Sequence, residues 1–118
     1  YKAQQLRTML RQQVLDSLKK FDVLVLPTAG KGAQPRVEDP PITSKESSSR
    51  LAFLFTRMFN LASCPAMSIP CGFDDKNMPV GLQLGTRPGA EETLFKVAHA
   101  YEQATTWHTV RPPGMESL

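Results

Sequence analysis

The protein chain has 118 residues, enough for one domain of ordinary size, and its 41% hydrophobic and 21% charged residues exclude a disordered polymer. A net charge of +3, spread without a basic cluster, gives no indication of nucleic-acid binding, and no apolar run is long enough to cross a bilayer. Two cysteines are too few for a disulfide framework, so we expect a cytoplasmic protein. Because the first residue is Tyr1, we expect either a processed chain or a piece of a longer one.

The first part of the chain predicts a helix followed by a buried strand. Residues 2–20 have the apolar spacing of an amphipathic helix whose stripe is Ala3, Leu6, Leu10, Val14 and Leu18. Val23–Leu26 is apolar without alternation, which is typical of a strand buried on both faces in a parallel or mixed sheet. Pro27 has no N–H to donate, so the strand should end there.

The middle of the chain predicts a long loop and a second helix. Residues 27–45 contain four prolines and two glycines, and loops of this length are usually functional or mobile. Residues 46–61 then show a wide apolar stripe at helical spacing, formed by Leu51, Leu54, Phe55, Met58 and Phe59.

A β-hairpin and a final helix complete the predicted elements. Ala66–Pro70 and Val80–Leu84 read as two strands, and the polar turn between them has its tip near Lys76 and Asn77. The last helix starts after Gly89 with two acidic residues in its first turn, and its predicted buried stripe is Leu94, Val97, Ala98, Tyr101 and Ala104.

No set of residues in this sequence forms a convincing catalytic or metal centre. Cys64 and Cys71 lie an odd number of positions apart, so an extended segment places them on opposite faces, and we interpret them as plain thiols. His99 and His108 do not complete a zinc-ligand pattern, and no glycine-flanked nucleophilic serine or phosphate-binding loop is present. We therefore predict no metal and no cofactor, and a structural portion of a larger enzyme.

Five segments in a fixed order resemble the amidase signature family, and together they cover nearly the whole chain. Phe55–Phe73 is similar to the family's NLAG-PA-S-P-GF segment, and Met78–Gly85 to its LPVGLQLIG segment. Glu91–Trp107 resembles the helix E-LL-VA-AYE-AT-W, whereas Tyr1–Arg7 and Phe21–Thr28 resemble the elements Y-KAQ-VR and FD-LL-PT. The A subunit of glutamyl-tRNA amidotransferase and related bacterial amidases are the family members most similar in these motifs.

This resemblance implies that residues 1–118 are the carboxyl-terminal part of an α/β domain with a mixed sheet, in which helices flank a few strands and a hairpin. The family's catalytic Ser–cis-Ser–Lys triad lies before the segment that matches Tyr1, so no catalytic residue can be assigned here. The resemblance implies a hydrolase acting on carboxamide C–N bonds, with a small amide as substrate and the missing amino-terminal portion as partner. We expect the isolated chain to be inactive, to expose apolar surface on Val23–Leu26 and to self-associate.

The resemblance also points to a wall of the substrate pocket, for which we select Thr56, Arg57 and Met58. The tRNA amidotransferase carries an acidic residue for the glutamine amino group where this chain has Ala90. We therefore favour a general amidase. The alternatives are a component of the glutamine-dependent tRNA amidotransferase and a free-standing interaction module derived from an amidase.

Overall fold

The computed structural model describes residues 1–33 and 54–115, in which three antiparallel strands form one sheet flanked by helices. The strands lie in the order β1, β3, β2, so the last strand is central. The α/β fold class predicted from the sequence is confirmed. The elements are α1 (Lys2–Ser17), β1 (Leu24–Pro27), α2 (Leu54–Ala62), β2 (Ala66–Phe73), β3 (Pro79–Gly85), α3 (Glu91–Ala104) and a 3₁₀ turn (Trp107–Thr109).

Strand β1 pairs with β3 along one side and ends at its proline, as predicted. Leu24 lies opposite Gly85, and after Pro27 the N–H of Thr28 continues the ladder by donating to the carbonyl of Gly81. The expected burial on both faces is wrong for this chain, since Val25 is 54% exposed. The reason is that α3 packs on β2 and β3 and leaves the outer strand uncovered on that face.

The predicted hairpin is confirmed, although β2 continues to Phe73 instead of ending at Pro70. A proline is tolerated here because β2 is an outer strand of the described sheet and its free side needs no N–H. An irregularity between Pro70 and Gly72 leaves Cys71 as the extra residue of a bulge. The turn is therefore shorter than predicted and spans residues 74–78.

Each face of the sheet carries a small hydrophobic core. On one face α1 and α2 bury Val14, Leu18, Phe59, Ala62 and Cys64 against the β1 side chains Leu24 and Leu26. On the other face α3 buries Leu94 and Ala98 against Ile69 and Leu84. The ring of Phe59 lies directly on Gly85, where a Cβ atom has no room. Gly85 therefore lets α2 approach the sheet closely.

The predicted apolar stripes are only partly buried. In α1, Val14 and Leu18 are buried, whereas Leu6 is 65% exposed. In α3, Leu94 and Ala98 are buried, Tyr101 is partly buried, and the expected core residues Val97 and Ala104 are exposed. Each helix thus buries only the part of its stripe that lies over the sheet or over α2. The predictions for residues 34–53 lie outside the described residues.

The end of α2 is held by arginines of α1. Arg7 Nε donates to the carbonyl of Leu61 at 3.0 Å, and Arg11 donates to the carbonyl of Ala62. These carbonyls have no partner within the helix, and Ser63 leaves the helix with a φ of 52°. Two cations at the negative end of the helix dipole satisfy them and fix α2 against α1. None of the helices in residues 1–33 and 54–115 is both long and apolar enough to span a membrane.

Candidate functional site

The predicted substrate wall lies in the first turns of α2, and its three side chains have different surroundings. Met58 packs against the core that contains Phe59 and Ala62, Thr56 is partly buried, and Arg57 is exposed. None of the three lines the cavities described below. The structure thus places one apolar anchor and one solvent-facing cation at neighbouring positions of a helix that α1 holds in place.

A pair of hydroxyl groups joins the two outer strands at one end of the sheet. Thr28 Oγ1 and Ser68 Oγ lie 2.5 Å apart, although their residues are 40 positions apart in the sequence. Both hydroxyls lie over Gly81 of β3, where an added Cβ would be 2.7 Å from Ser68 Oγ and 2.8 Å from Thr28 Oγ1. A glycine at this position is therefore needed for the pair to form.

An open cavity of about 380 Å³ lies beside this hydroxyl pair. The segment after β1 forms one wall, and Lys31 is the charged residue of the lining. The two hydroxyls are hydrogen-bonded to each other, so the pair can hold a hydrogen-bonding group, and among the described residues no side chain is seen to accept a proton from either hydroxyl except its partner. This arrangement fits binding or positioning rather than bond cleavage.

Gln83 lies on β3 directly opposite Ser68 and Leu26, two positions from Gly81. Its side chain is only 5% exposed, and its Oε1 has no hydrogen-bond partner within the part of the chain that the structure describes. A buried acceptor without a donor costs about 1–3 kcal/mol, so the part of the sheet next to the hydroxyl pair contains a polar group that the described residues leave unsatisfied.

The turn of the hairpin uses its acidic residue to shape the backbone. Asp74 Oδ1 accepts hydrogen bonds from the N–H groups of Lys76 at 2.9 Å and Met78 at 2.8 Å. Asn77 has a φ of 59°, a conformation that asparagine tolerates better than most residues. The carboxylate of Asp74 also lies against Gly32, so the turn contacts the segment after β1. Asp74 therefore has a structural role.

The cysteines and histidines do not form a catalytic or metal site in the described residues. Cys64 is buried and Cys71 is partly buried, and both are free thiols, as expected. Burial raises the pKa of the Cys64 thiol, which opposes formation of a reactive thiolate. His99 and His108 are exposed, and no three metal-ligating side chains in residues 1–33 and 54–115 lie close enough to hold an ion.

Sequence reasoning missed two features of the described surface. The Thr28–Ser68 pair joins residues from distant segments, and the only sequence signal was a hydroxyl directly after a strand-ending proline. The largest of the described cavities, about 560 Å³, lies between the hairpin turn and residues 107–113. The sequence indicated it only by an aromatic residue followed by a proline-rich tail.

Residues 1–95 match the model of the Amidase family. Among curated proteins, it is 45% identical over 112 residues to the A subunit of glutamyl-tRNA(Gln) amidotransferase from Gloeothece citriformis. That alignment covers 95% of this chain and 23% of the relative. The chain thus spans about a quarter of the length of the curated relatives it matches.

Solved structures with the same fold include two enzymes of different description. The A subunit of glutamyl-tRNA(Gln) amidotransferase from Thermotoga maritima superposes with a TM-score of 0.77 at 30% identity, covering 89% of this chain and 22% of that one. A 6-aminohexanoate cyclic dimer hydrolase superposes with a TM-score of 0.68 at 32% identity, covering 78% and 21%. The described fold is therefore shared by chains several times longer.

Proposed function

This chain belongs to the amidase family, and from that membership we propose that it is the carboxyl-terminal segment of an amidase-signature hydrolase. The observation that carries the proposal is the unequal coverage: 95% of this chain matches only 23% of its curated relative. A segment that matches so completely, yet contains no catalytic set in its described residues, fits the part of an enzyme that supports a site built elsewhere. Residues 1–118 are then an incomplete domain.

In the complete enzyme, a Ser–cis-Ser–Lys triad outside this chain would carry out acyl transfer. The serine oxygen attacks the amide carbonyl carbon, and the proton passes through the second serine and the lysine to the leaving nitrogen. Backbone N–H groups stabilise the oxyanion, and breakage of the C–N bond releases ammonia or an amine and leaves the acyl-enzyme. Water then hydrolyses this ester to a carboxylate and restores the serine. The contribution of this chain is rigid support and one wall of the acyl pocket.

For that wall we propose Thr56, Arg57 and Met58. Met58 is anchored in the core, so it presents an apolar surface of fixed position. Arg57 carries an exposed guanidinium that can bind a carbonyl or carboxylate of the substrate. Because Arg7 and Arg11 fix the end of α2, these three positions are held on a rigid element.

The first test compares the complete protein with the 118-residue chain in an ammonia-release assay on a panel of aliphatic and aromatic amides. We expect activity only in the complete protein, because the triad is needed for acyl transfer. Amide hydrolysis by the 118-residue chain alone would contradict the proposal. The same preparations show by light scattering whether the chain self-associates through its exposed outer strand, at which Val25 is 54% exposed.

A second test asks whether Arg57 contacts the substrate, independently of whether the complete protein is an amidase. Arg57→Gln in the complete protein should raise KM several-fold with little change in kcat, because the proposed contact binds the substrate and the transition state equally. Arg87→Gln is the matched control, since Arg87 is an exposed arginine just after β3. Equal kinetics for both variants would remove Arg57 from the wall while leaving the amidase assignment intact.

A second candidate function is the glutaminase half of a tRNA-dependent amidotransferase, which the names of the curated relatives favour. Ala90 opposes it. This residue directly precedes α3 and has no carboxylate, whereas the resemblance implies an acidic residue there that binds the amino group of glutamine. Ammonia release from glutamine that depends on added partner proteins would support this candidate. Hydrolysis of simple amides without partners would support the general amidase.

A further inference from the structure

The largest of the described cavities is built from two segments that meet at the tip of the hairpin. Its volume of about 560 Å³ lies within the range of small-molecule sites. The strand ends and the hairpin turn form one side, and the segment after α3 forms the other. Most of its lining is apolar and includes Pro70, Phe73, Met78, Pro79, Trp107 and Pro112.

Two aromatic rings give the cavity a defined wall. Phe73 and Trp107 meet edge to face, with ring centroids 6.2 Å apart and an angle of 71° between the planes. Trp107 is held by a 3₁₀ turn, in which the N–H and the hydroxyl of Thr109 both donate to the carbonyl of Thr106. Phe73 and Trp107 are 42% and 39% exposed, and both belong to the lining of the cavity.

The ionisable side chains that line the cavity are all basic among the described residues, and two of them, Lys76 and Arg111, are cations. Lys76, His108 and Arg111 belong to the lining, to which no described carboxylate contributes. The two acidic residues of the same turn, Asp74 and Asp75, line a different cavity together with Lys31, and Lys76 borders both cavities. An apolar cavity with cations at its rim is complementary to a molecule that is apolar at one end and negatively charged at the other.

We propose that this cavity binds a small aromatic carboxylate. Its ring would lie against Phe73, Trp107 and the prolines, and its carboxylate would pair with Arg111 and Lys76. This site shares no residue with the predicted wall of Thr56, Arg57 and Met58, and the proposal does not depend on the amidase function.

Trp107 allows a direct test, since it is the only tryptophan in the sequence. The full chain is labelled with 5-fluorotryptophan, and the ¹⁹F resonance of Trp107 is identified by its loss in Trp107→Phe. The resonance is then followed during titration with 3-phenylpropionate, with the neutral 3-phenylpropanol and with the cationic 3-phenylpropylamine. We expect a saturable shift with the carboxylate at an affinity about two- to fivefold above that of the alcohol, the size of an exposed ion pair.

Arg111→Gln should reduce the affinity for the carboxylate toward that for the alcohol, with the contribution of Lys76 remaining, and leave the affinity for the alcohol unchanged. Lys96→Gln is the matched control, because Lys96 lies on α3 in an exposed ion pair with Glu92 and does not line the cavity. The proposal is overturned if the resonance shows no saturable shift, if alcohol or amine binds as tightly as the carboxylate, or if both variants behave alike.

Discussion

Two glycines of the central strand show how differently the two ends of the sheet are completed. At Gly85 the ring of Phe59 covers the strand, and the residues around it are buried. At Gly81 two hydroxyls cover the strand beside an open cavity, and Gln83, midway between the two glycines and opposite one of those hydroxyl residues, Ser68, has an oxygen without a partner among the described residues. The Gly85 end is a finished hydrophobic core, whereas the Gly81 end is polar and incomplete. This difference indicates that the side chains around Gly85 contribute more to the stability of the fold. The groups around Gly81 are instead available for contacts with other molecules or with other parts of the enzyme.

The largest effect should come from removing the ring at the finished end. Phe59→Ala leaves a cavity in a core where Phe59 is 1% exposed, so we expect the free energy of unfolding to fall by about 3–5 kcal/mol. Phe73→Ala, at a side chain that is 42% exposed, should cost about 1 kcal/mol or less. Urea denaturation followed by circular dichroism measures both. Similar losses would remove the distinction between the two regions.

The glycines themselves should differ in the same direction. Gly85→Ala places a methyl group against an enclosed aromatic ring, and we expect a loss of about 1–3 kcal/mol in the free energy of unfolding. Gly81→Ala meets the hydroxyl side chains of Thr28 and exposed Ser68, which can rotate away, so it should cost less. The same denaturation experiment compares them. A larger loss for Gly81→Ala would show that the hydroxyl pair is a rigid part of the core.

Gln83 tests whether the polar end is completed by another part of the enzyme. If a donor from the rest of the enzyme binds Oε1, Gln83→Leu leaves that donor unpaired and lowers the stability of the complete protein by about 1–3 kcal/mol. We expect this result, measured as a lower melting temperature. A higher melting temperature would mean that the acceptor is unpartnered in the complete protein as well.

The smallest effect concerns the two thiols. Burial raises the pKa of Cys64, so its thiolate forms only at a pH above that for an ordinary cysteine, and it should react with a disulfide reagent more slowly than the less buried Cys71. Because the pKa of Cys64 is higher in the folded state than in the unfolded state, the folded protein holds the thiol proton more tightly. The free energy of unfolding is therefore unaffected by this group below about pH 8.5, and it falls as the pH rises through the raised pKa. Mass spectrometry of timed labelling resolves the two sites. Equal rates in the folded protein would contradict the burial of Cys64.

Local sequence patterns predicted where the helices and the hairpin lie. Which strands lie at the edge of the sheet, and which apolar residues are buried, depends on packing between distant segments. The hairpin and the α3 residues Leu94, Ala98 and Tyr101 follow from periodicity within a few turns, and these predictions are confirmed. Pro70 was interpreted as a strand end because a sequence does not reveal which strand lies at the edge of a sheet. The apolar run at Val25 is typical of burial on both faces, whereas the expectation of exposed apolar surface on residues 23–26 fits its 54% exposure here.

The candidate sites were less predictable than the fold. The Thr28–Ser68 pair and the cavity at Trp107 each require segments that the sequence separates widely, and no periodic pattern indicates such contacts. The substrate wall at Thr56, Arg57 and Met58 came from resemblance alone and stays a prediction.

The pairing of β1 with β3 also sets an order of events during synthesis. The hydroxyl of Thr86 donates to the carbonyl of Asp22 at 2.7 Å across 64 residues, and Arg7 binds Leu61 across 54. On the ribosome, α1 and β1 therefore emerge long before the segments they bind. The β2–β3 hairpin needs only neighbouring residues and can form as soon as it emerges. Within residues 1–118, the segments that are made first are thus the last to find these partners, and the apolar strand β1 stays unpaired with β3 until the hairpin has emerged.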